Sequence, residues 1–166
     1  EVTLQDCGDR PAVLVAFVCN HCPYVKHIVD EFVDHAADYQ DRGVGVVAIS
    51  SNDPEEYPDD APDEMARLAE EKGFGFPYCF DETQQVAQAY RAACTPDFFL
   101  VDDDLELFYR GQFDDSRPGN DQPVTGEDLD EAVDRALAGE EPPEEQTPSQ
   151  GCSIKWKPGN EPEYVG

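Results

Sequence analysis

The chain has 166 residues, 11 of them Lys or Arg and 38 Asp or Glu, for a formal charge of −27. That charge excludes nucleic acid and an anionic membrane surface as partners, and no run approaches the ~20 apolar residues that span a bilayer. The length suits one domain with a real core. The acidic residues are spread along the whole chain, and only four of the basic residues are lysines. Periodic apolar segments argue against disorder, so the charge reads as adaptation to a high-salt cytosol. There the Debye length falls to about 3 Å at 1 M and self-repulsion is relieved. The expected location is cytoplasmic, away from any membrane.

Taken in order, residues 1–11 are short and polar, with the end of a strand and a turn at Gly8 to Pro11. The Val-rich run Ala12–Val18 is a buried strand. From Cys22 to Asp41 the spacing predicts a helix with Val25, Ile28, Val29, Phe32, Val33 and Ala36 on one face and Gly43 at its end. Val44–Ser50 is a second apolar strand, which completes a parallel βαβ unit. A loop rich in Asp and Pro, Ser51 to Pro62, precedes a helix at about Asp63–Lys72 with Met65, Leu68 and Ala69 inward. Phe76–Phe80 is a short strand, and Glu82–Tyr90 a short helix carrying Val86, Ala89 and Tyr90.

Phe98 to Val101 and Leu105–Arg110, joined by a turn at Asp102 to Asp104, form an antiparallel hairpin. A long polar loop runs from Gly111 to Val124. Thr125 is positioned to cap a last helix, with Asp128 three residues on. Leu129, Ala132, Val133, Ala136 and Leu137 give that helix its buried face, and Gly139 ends it. Residues 1–139 read as one domain. Residues 140–166 read as an acidic, Pro-rich tail, structureless but partly docked, containing Cys152, Ile154 and Trp156.

Chemistry concentrates at Cys19-Asn20-His21-Cys22-Pro23, where the first strand meets the first helix. Pro23 fits the first helical position, where a missing N–H costs nothing. Cys22 is then the N-cap residue, over the positive end of the helix dipole, a place that favours the thiolate. Two cysteines merely packed in apolar surroundings are the bland alternative. Six cysteines in a chain this long are too few for a disulfide scaffold, and a C-x-x-C in a β–α pattern points to redox or metal chemistry. In the metal version His21, His27, Cys79 and Cys94 join the pair around Cu(I) or Zn(II). His21 itself either tunes the thiols or shuttles a proton, or is a solvent-facing turn residue. His27 and His35 read as helix surface, and Cys7 and Cys79 as structural.

Three stretches carry a family likeness: Phe17-Val18-Cys19-Asn20-His21-Cys22-Pro23-Tyr24-Val25-Lys26-His27, Cys94-Thr95-Pro96-Asp97-Phe98-Phe99, and Gly151-Cys152-Ser153-Ile154-Lys155-Trp156-Lys157. With the order βαβ, helix, hairpin, helix, the chain resembles the peroxiredoxin-like branch of the AhpC/TSA (redoxin) family over nearly all of residues 12–139. The resemblance implies an α/β thioredoxin-like fold, with a central mixed sheet flanked by helices and an extended C-terminal tail. It also implies a thiol–disulfide oxidoreductase or antioxidant protein that needs no cofactor. Its substrate would be a disulfide or a peroxide, and a thioredoxin-like dithiol donor would recycle it. Oligomeric state is left open. The alternative function is a metal-binding module like the copper-delivery proteins of the same fold.

Matching helix start and end places Cys22, not Cys19, on the family's nucleophile position, with Cys19 as first-choice resolving thiol. The family's Thr three residues upstream of the nucleophile is Cys19 here, and its Arg falls near Pro96; both would have stabilised charge on a peroxide oxygen. Arg117 is the one nearby cation that could replace the Arg, although a surface pairing with Asp114 or Asp115 explains it as well. Thr95 and Pro96 are implied as the substrate side, joined by a cis bond. Cys94 is either a second resolving thiol or a packed small hydrophobe. Cys152 could fold back to form a disulfide with Cys94 or Cys22.

Overall fold

The computed structural model describes residues 9–165. Cys7 and the strand end expected before Gly8 lie outside them. The elements are β1 (Ala12–Phe17), α1 (Pro23–Asp41), β2 (Gly45–Ser50), α2 (Pro62–Lys72), β3 (Tyr78–Phe80), α3 (Gln85–Tyr90), β4 (Cys94–Thr95), β5 (Asp97–Asp102), β6 (Leu107–Gly111), α4 (Glu127–Ala138) and β7 (Cys152–Ser153). A 3-10 turn, Pro58–Asp60, precedes α2.

Five strands form one mixed sheet in the order β3-β2-β1-β5-β6. β2 lies parallel to β1 and β3, whereas β5 runs antiparallel to both β1 and β6. β1 is central and buried throughout, which explains its continuous apolar run rather than an alternating one. Its residues still divide by face. Ala12, Leu14 and Ala16 join α1 and α4 in the larger core cluster, with Phe32, Phe98 and Leu129. Val13, Val15 and Phe17 face a second cluster that holds Ala87, Phe99 and the tail residue Ile154.

α1 buries Val25, Ile28, Val29, Phe32, Ala36 and Tyr39, the anticipated stripe extended by one turn, while Val33 is half-buried. α3 is shorter than expected and turns differently. Its buried residue is Ala87, not Val86 or Ala89, because Asp81 accepts the Val86 and Ala87 N–H groups and sets the helix phase.

Thr125 is not the N-cap of α4; Gly126 is, in the left-handed region at φ +68°. The Asp114 carboxylate instead accepts the N–H groups of Thr125 at 2.7 Å and Gly126 at 2.8 Å. This gives the Asp114 to Asn120 loop its structural task. His35 is not free helix surface either. It bonds Asp130 on α4 at 2.8 Å, and Tyr39 donates to the same carboxylate.

The tail is more ordered than its composition suggested. β7 pairs antiparallel with β4 in a separate small sheet, and Ile154 is buried. The missing side chain at Gly151 permits this approach, since a Cβ there would lie 1.9 Å from the Thr95 carbonyl oxygen.

Candidate active site

β1 delivers the chain to Cys19, and the following turn returns it to the start of α1 at Cys22. Pro23 is the first helical residue, and Cys22, with φ −70° and ψ 124°, is the N-cap. The first turn of α1 carries no acidic residue. In a chain with 38 acids this absence matters: α2 opens with Asp63 and Glu64, and α4 with Glu127, Asp128 and Asp130. α1, like the short α3, has no acid in its first turn, and its N-cap residue is a cysteine, where the positive end of the helix favours an anion.

The Asn20–His21 turn is held by a residue far away in sequence. Asp60, fully buried, accepts the Asn20 N–H at 2.6 Å, the His21 N–H at 3.1 Å, the Asn52 amide at 2.9 Å and the His21 Nδ1–H. Tyr78 donates to the Asn20 side chain at 2.9 Å. The Tyr57 ring stacks on His21 with centroids 5.2 Å apart, and Lys155 Nζ sits 5.7 Å from the Tyr57 centroid.

Thr95 faces the pair from the other side. Its peptide bond to Pro96 is cis, as the family likeness implied. The Thr95 hydroxyl lies 3.4 Å from Cys19 Sγ, and its carbonyl oxygen lies 3.4 Å from Cys22 Sγ. In the β4–β7 ladder Thr95 is opposite Cys152 and Cys94 is opposite Ser153. Directly opposed residues share a face, so Cys152 stands with Thr95 over the two thiols and Cys94 points away from them. The Cys94 thiol is turned toward the Ser149 and Pro96 carbonyls, at 3.8 and 4.0 Å.

This arrangement separates the thiols electrostatically. Hydrogen bonding from Cys19 holds Cys22 far below the ordinary thiol value, at about 4, against the opposing effect of burial. Cys152, the Val25 N–H and Thr95 act in the same direction. Cys19 moves the other way: its bond to Cys22 and its burial keep it protonated, and the charge of Asp60 adds to this. Burial and the bond to Cys22 push Cys152 up to about 11. Burial, with the neighbouring Asp97 charge, pushes Cys94 up to about 12. These directions favour the thiolate form at Cys22 and the protonated form at Cys19 and Cys152.

Neither thiol of the pair is open to solvent, Cys19 at 1% and Cys22 at 0%. β7 covers them. It is fixed by Ile154 N–H to Ala93 at 3.0 Å, by Lys155 N–H to the Asn52 side chain at 2.9 Å, and by Ser149 Oγ to Asp97 at 2.9 Å.

Arg117 is occupied. Nη1 donates to the Asp114 and Ser116 carbonyls, each at 2.8 Å; Nη2 donates to Gln112, and Nε to Gln150 at 3.2 Å. It makes no ion pair with Asp114 or Asp115. It braces the segment leading into Cys152 rather than presenting a free charge to the thiols. Of the suggested metal donors, His21 lies beside Cys19 with Asp60, their donor atoms within 4.8 Å of one another, and His27, Cys79 and Cys94 lie outside that cluster.

Sequence reasoning missed Asp60, Asn52, Tyr57 and Tyr78. The signal for Tyr57 and Asp60, the Tyr57-Pro58-Asp59-Asp60 turn inside an acidic loop, does not stand out in so acidic a chain, and Asn52 and Tyr78 carry none.

A five-stranded mixed sheet, a thiolate at the start of its first helix and a cis-proline facing it define a thioredoxin-fold protein. The chain belongs to the AhpC/TSA family, whose family model matches residues 1–110. A hypothetical protein from Sinorhizobium meliloti 1021 is 49% identical, with TM-score 0.94 over 95% of this chain and 86% of that one. An uncharacterized conserved protein from Geobacillus kaustophilus is 57% identical, with TM-score 0.92 over 95% and 83%. A thioredoxin-like protein solved in its oxidized form shares the fold at 22% identity, with TM-score 0.66 over 85% and 87%. No curated protein is matched by the sequence.

Proposed function

We propose that the protein is a peroxiredoxin-like thiol–disulfide oxidoreductase with Cys22 as nucleophile. The observation that carries this is geometric: Cys22 is the N-cap of α1, facing the cis Thr95–Pro96 bond, with Cys19 on the same side of Thr95. The Cys22 thiolate attacks one sulfur of a substrate disulfide, forms a mixed disulfide and expels the other sulfur as a thiolate. Cys19 then attacks the Cys22 sulfur, giving a Cys19–Cys22 disulfide and releasing the second substrate thiolate. With a peroxide, Cys22 takes one oxygen to become a sulfenic acid as the O–O bond breaks and the other oxygen leaves as water or an alcohol, and a thiol then condenses with the sulfenic acid to a disulfide and water. Thr95 and Pro96 form the substrate side. Cys152, on the same face, is an alternative partner for Cys22, whereas Cys94 is not placed for that role. An external dithiol, thioredoxin-like, returns two electrons. The setting is a salt-rich cytoplasm.

Departures from the family pattern favour disulfides over peroxides: Cys19 replaces the upstream Thr, and Arg117 is engaged elsewhere. The metal-binding alternative rests on the Cys19–His21–Asp60 cluster. That set fits a metal poorly, because Cys19 is held protonated and Asp60 already accepts four hydrogen bonds.

The test uses reduced protein in molar salt with limiting hydrogen peroxide or a small disulfide, and the products are mapped by mass spectrometry. Fast disulfide exchange, slow peroxide consumption and a bond from Cys22 to Cys19 or Cys152 are expected. Cys22→Ser should abolish turnover; full activity in that variant removes the assignment. Stoichiometric metal retained through purification would favour the alternative.

A further inference from the structure

Resolution raises a problem that the thiolate of Cys22 does not solve. Cys19 attacks as a thiolate, yet it is buried at 1% exposure, and no bulk solvent reaches it to take the proton. Its bond to Cys22, its burial and the charge of Asp60 all hold it protonated. The last two persist when the Cys22 sulfur is tied up in a mixed disulfide.

Two proton-accepting groups stand close by. A ring nitrogen of His21 and a carboxylate oxygen of Asp60 each lie within 4.8 Å of Cys19 Sγ. Both are fixed. Asp60 is locked by two backbone N–H groups and the Asn52 amide, and the His21 ring is bonded to Asp60 and stacked on Tyr57. A small rotation of the Cys19 side chain or one bridging water closes the remaining gap. The other ionisable groups around this turn are Cys22, Tyr57, Tyr78 and Lys155; Tyr78 is held well above the usual phenol range by burial, and Lys155 bears a positive charge.

We propose that His21, oriented by Asp60, is the general base of the resolving step. As the Cys19 sulfur bonds to Cys22, its proton passes to the His21 imidazole. The electron pair of the breaking mixed disulfide leaves with the substrate sulfur, and the imidazolium then gives that thiolate its proton. Asp60 is the positioning residue: it fixes the ring and balances the transient charge, as a buried carboxylate does beside a catalytic imidazole. The inference rests on the assignment of Cys22 and Cys19 above.

A chromogenic aromatic disulfide, added in one equivalent to the reduced full chain in molar salt, separates the steps. The first release of coloured thiolate reports attack by Cys22 and the second reports resolution. In His21→Gln the first release should stay near the wild-type rate, while the second slows on the order of a hundredfold, the usual worth of a positioned base. The pH dependence of the second release should change in this variant while that of the first does not. Asp60→Asn should slow the second release and shift its pH profile.

Unchanged second release in both variants overturns the inference. So does equal slowing of both releases in His21→Gln, because His21 would then be acting on Cys22. The underlying reading fails in a different way: a first release that survives Cys22→Ser, or a wild-type product mapped as Cys22–Cys152 without Cys19–Cys22.

Discussion

At the residue scale the decisive contrast is between two cysteines three positions apart. Both are buried, and both touch Thr95. Cys22 is held low chiefly by hydrogen bonding from Cys19, against burial, with Cys152, the Val25 N–H and Thr95 acting the same way. A lowered value means that the charged form is present above it and lost below it. The alkylation rate of Cys22 should therefore hold steady from neutral pH downward and fall only as pH drops through about 4. Mass-spectrometric quantification of labelled Cys22 across that range tests this. A decline beginning near the ordinary thiol value of 9.0 would mean that the ring of donors does not act as described. The N-cap position of Cys22 was legible in the sequence, because Pro23 marks the helix start. The partners that set its charge were not: Thr95 and Cys152 are brought to it by the β4–β7 ladder.

At the element scale, β7 is the part that composition disguised. Residues 140–166 are rich in Pro and Glu, yet Cys152–Ser153 forms a strand against Cys94–Thr95. Gly151 makes this possible, and any side chain there collides with backbone. Gly151→Val should detach β7 and expose Cys22, raising its alkylation at neutral pH by about tenfold or more, as local opening does for a covered group. An unchanged rate would show that β7 is not the cover.

Asp114 governs a second junction, the entry to α4. Asp114→Ala leaves the Gly126 and Ser116 N–H groups without their acceptor. Unfolding by denaturant should register a loss of about 2–3 kcal/mol, the cost of stranding buried donors. The loop was recognisable as a motif in the sequence, but its partner at the start of α4 was not, since the two are linked only through the folded chain.

His35 ties the first turn of α4 to α1 through Asp130. Its bond to that carboxylate raises it above the ordinary imidazole value, against the effect of burial. The raised direction fixes the sign: this contribution is complete below the unfolded value of 6.5 and is lost as pH rises through the folded one. Thermal midpoints in molar salt should fall across that interval in the wild type and stay flatter in His35→Gln.

At the scale of the whole molecule, the net charge of −27 dominates. Several ion pairs are present, Arg42 with Asp38 and Asp134 and Lys72 with Asp30 among them, but exposed pairs are individually worth little. Eleven cations cannot neutralise 38 anions. The fold should be loosest in dilute buffer and tighten with salt as the Debye length shrinks. Denaturation midpoints measured from low to molar potassium chloride should rise steadily. Equal stability at both ends would contradict the proposed salt-rich setting.

Some of this protein is determined by sequence alone. Apolar runs set the strands, 3.6-residue periodicity sets α1 and α4, and Pro23 with Gly43 brackets the first helix; these are local signals, decided by backbone sterics and by which side chains must leave water. The N-cap cysteine and the cis-proline follow from the same short stretches and the likeness they carry. Tertiary structure decided which of 38 acids is buried beneath His21, which thiol beyond the pair reaches Cys22 among the described residues, and that a Pro-rich tail adds a strand. Those outcomes depend on groups brought together across 39 to 130 positions, Asp60 to His21 and Cys152 to Cys22. No local pattern encodes them, because hydrogen-bond geometry and desolvation arise only once the chain has closed around the site.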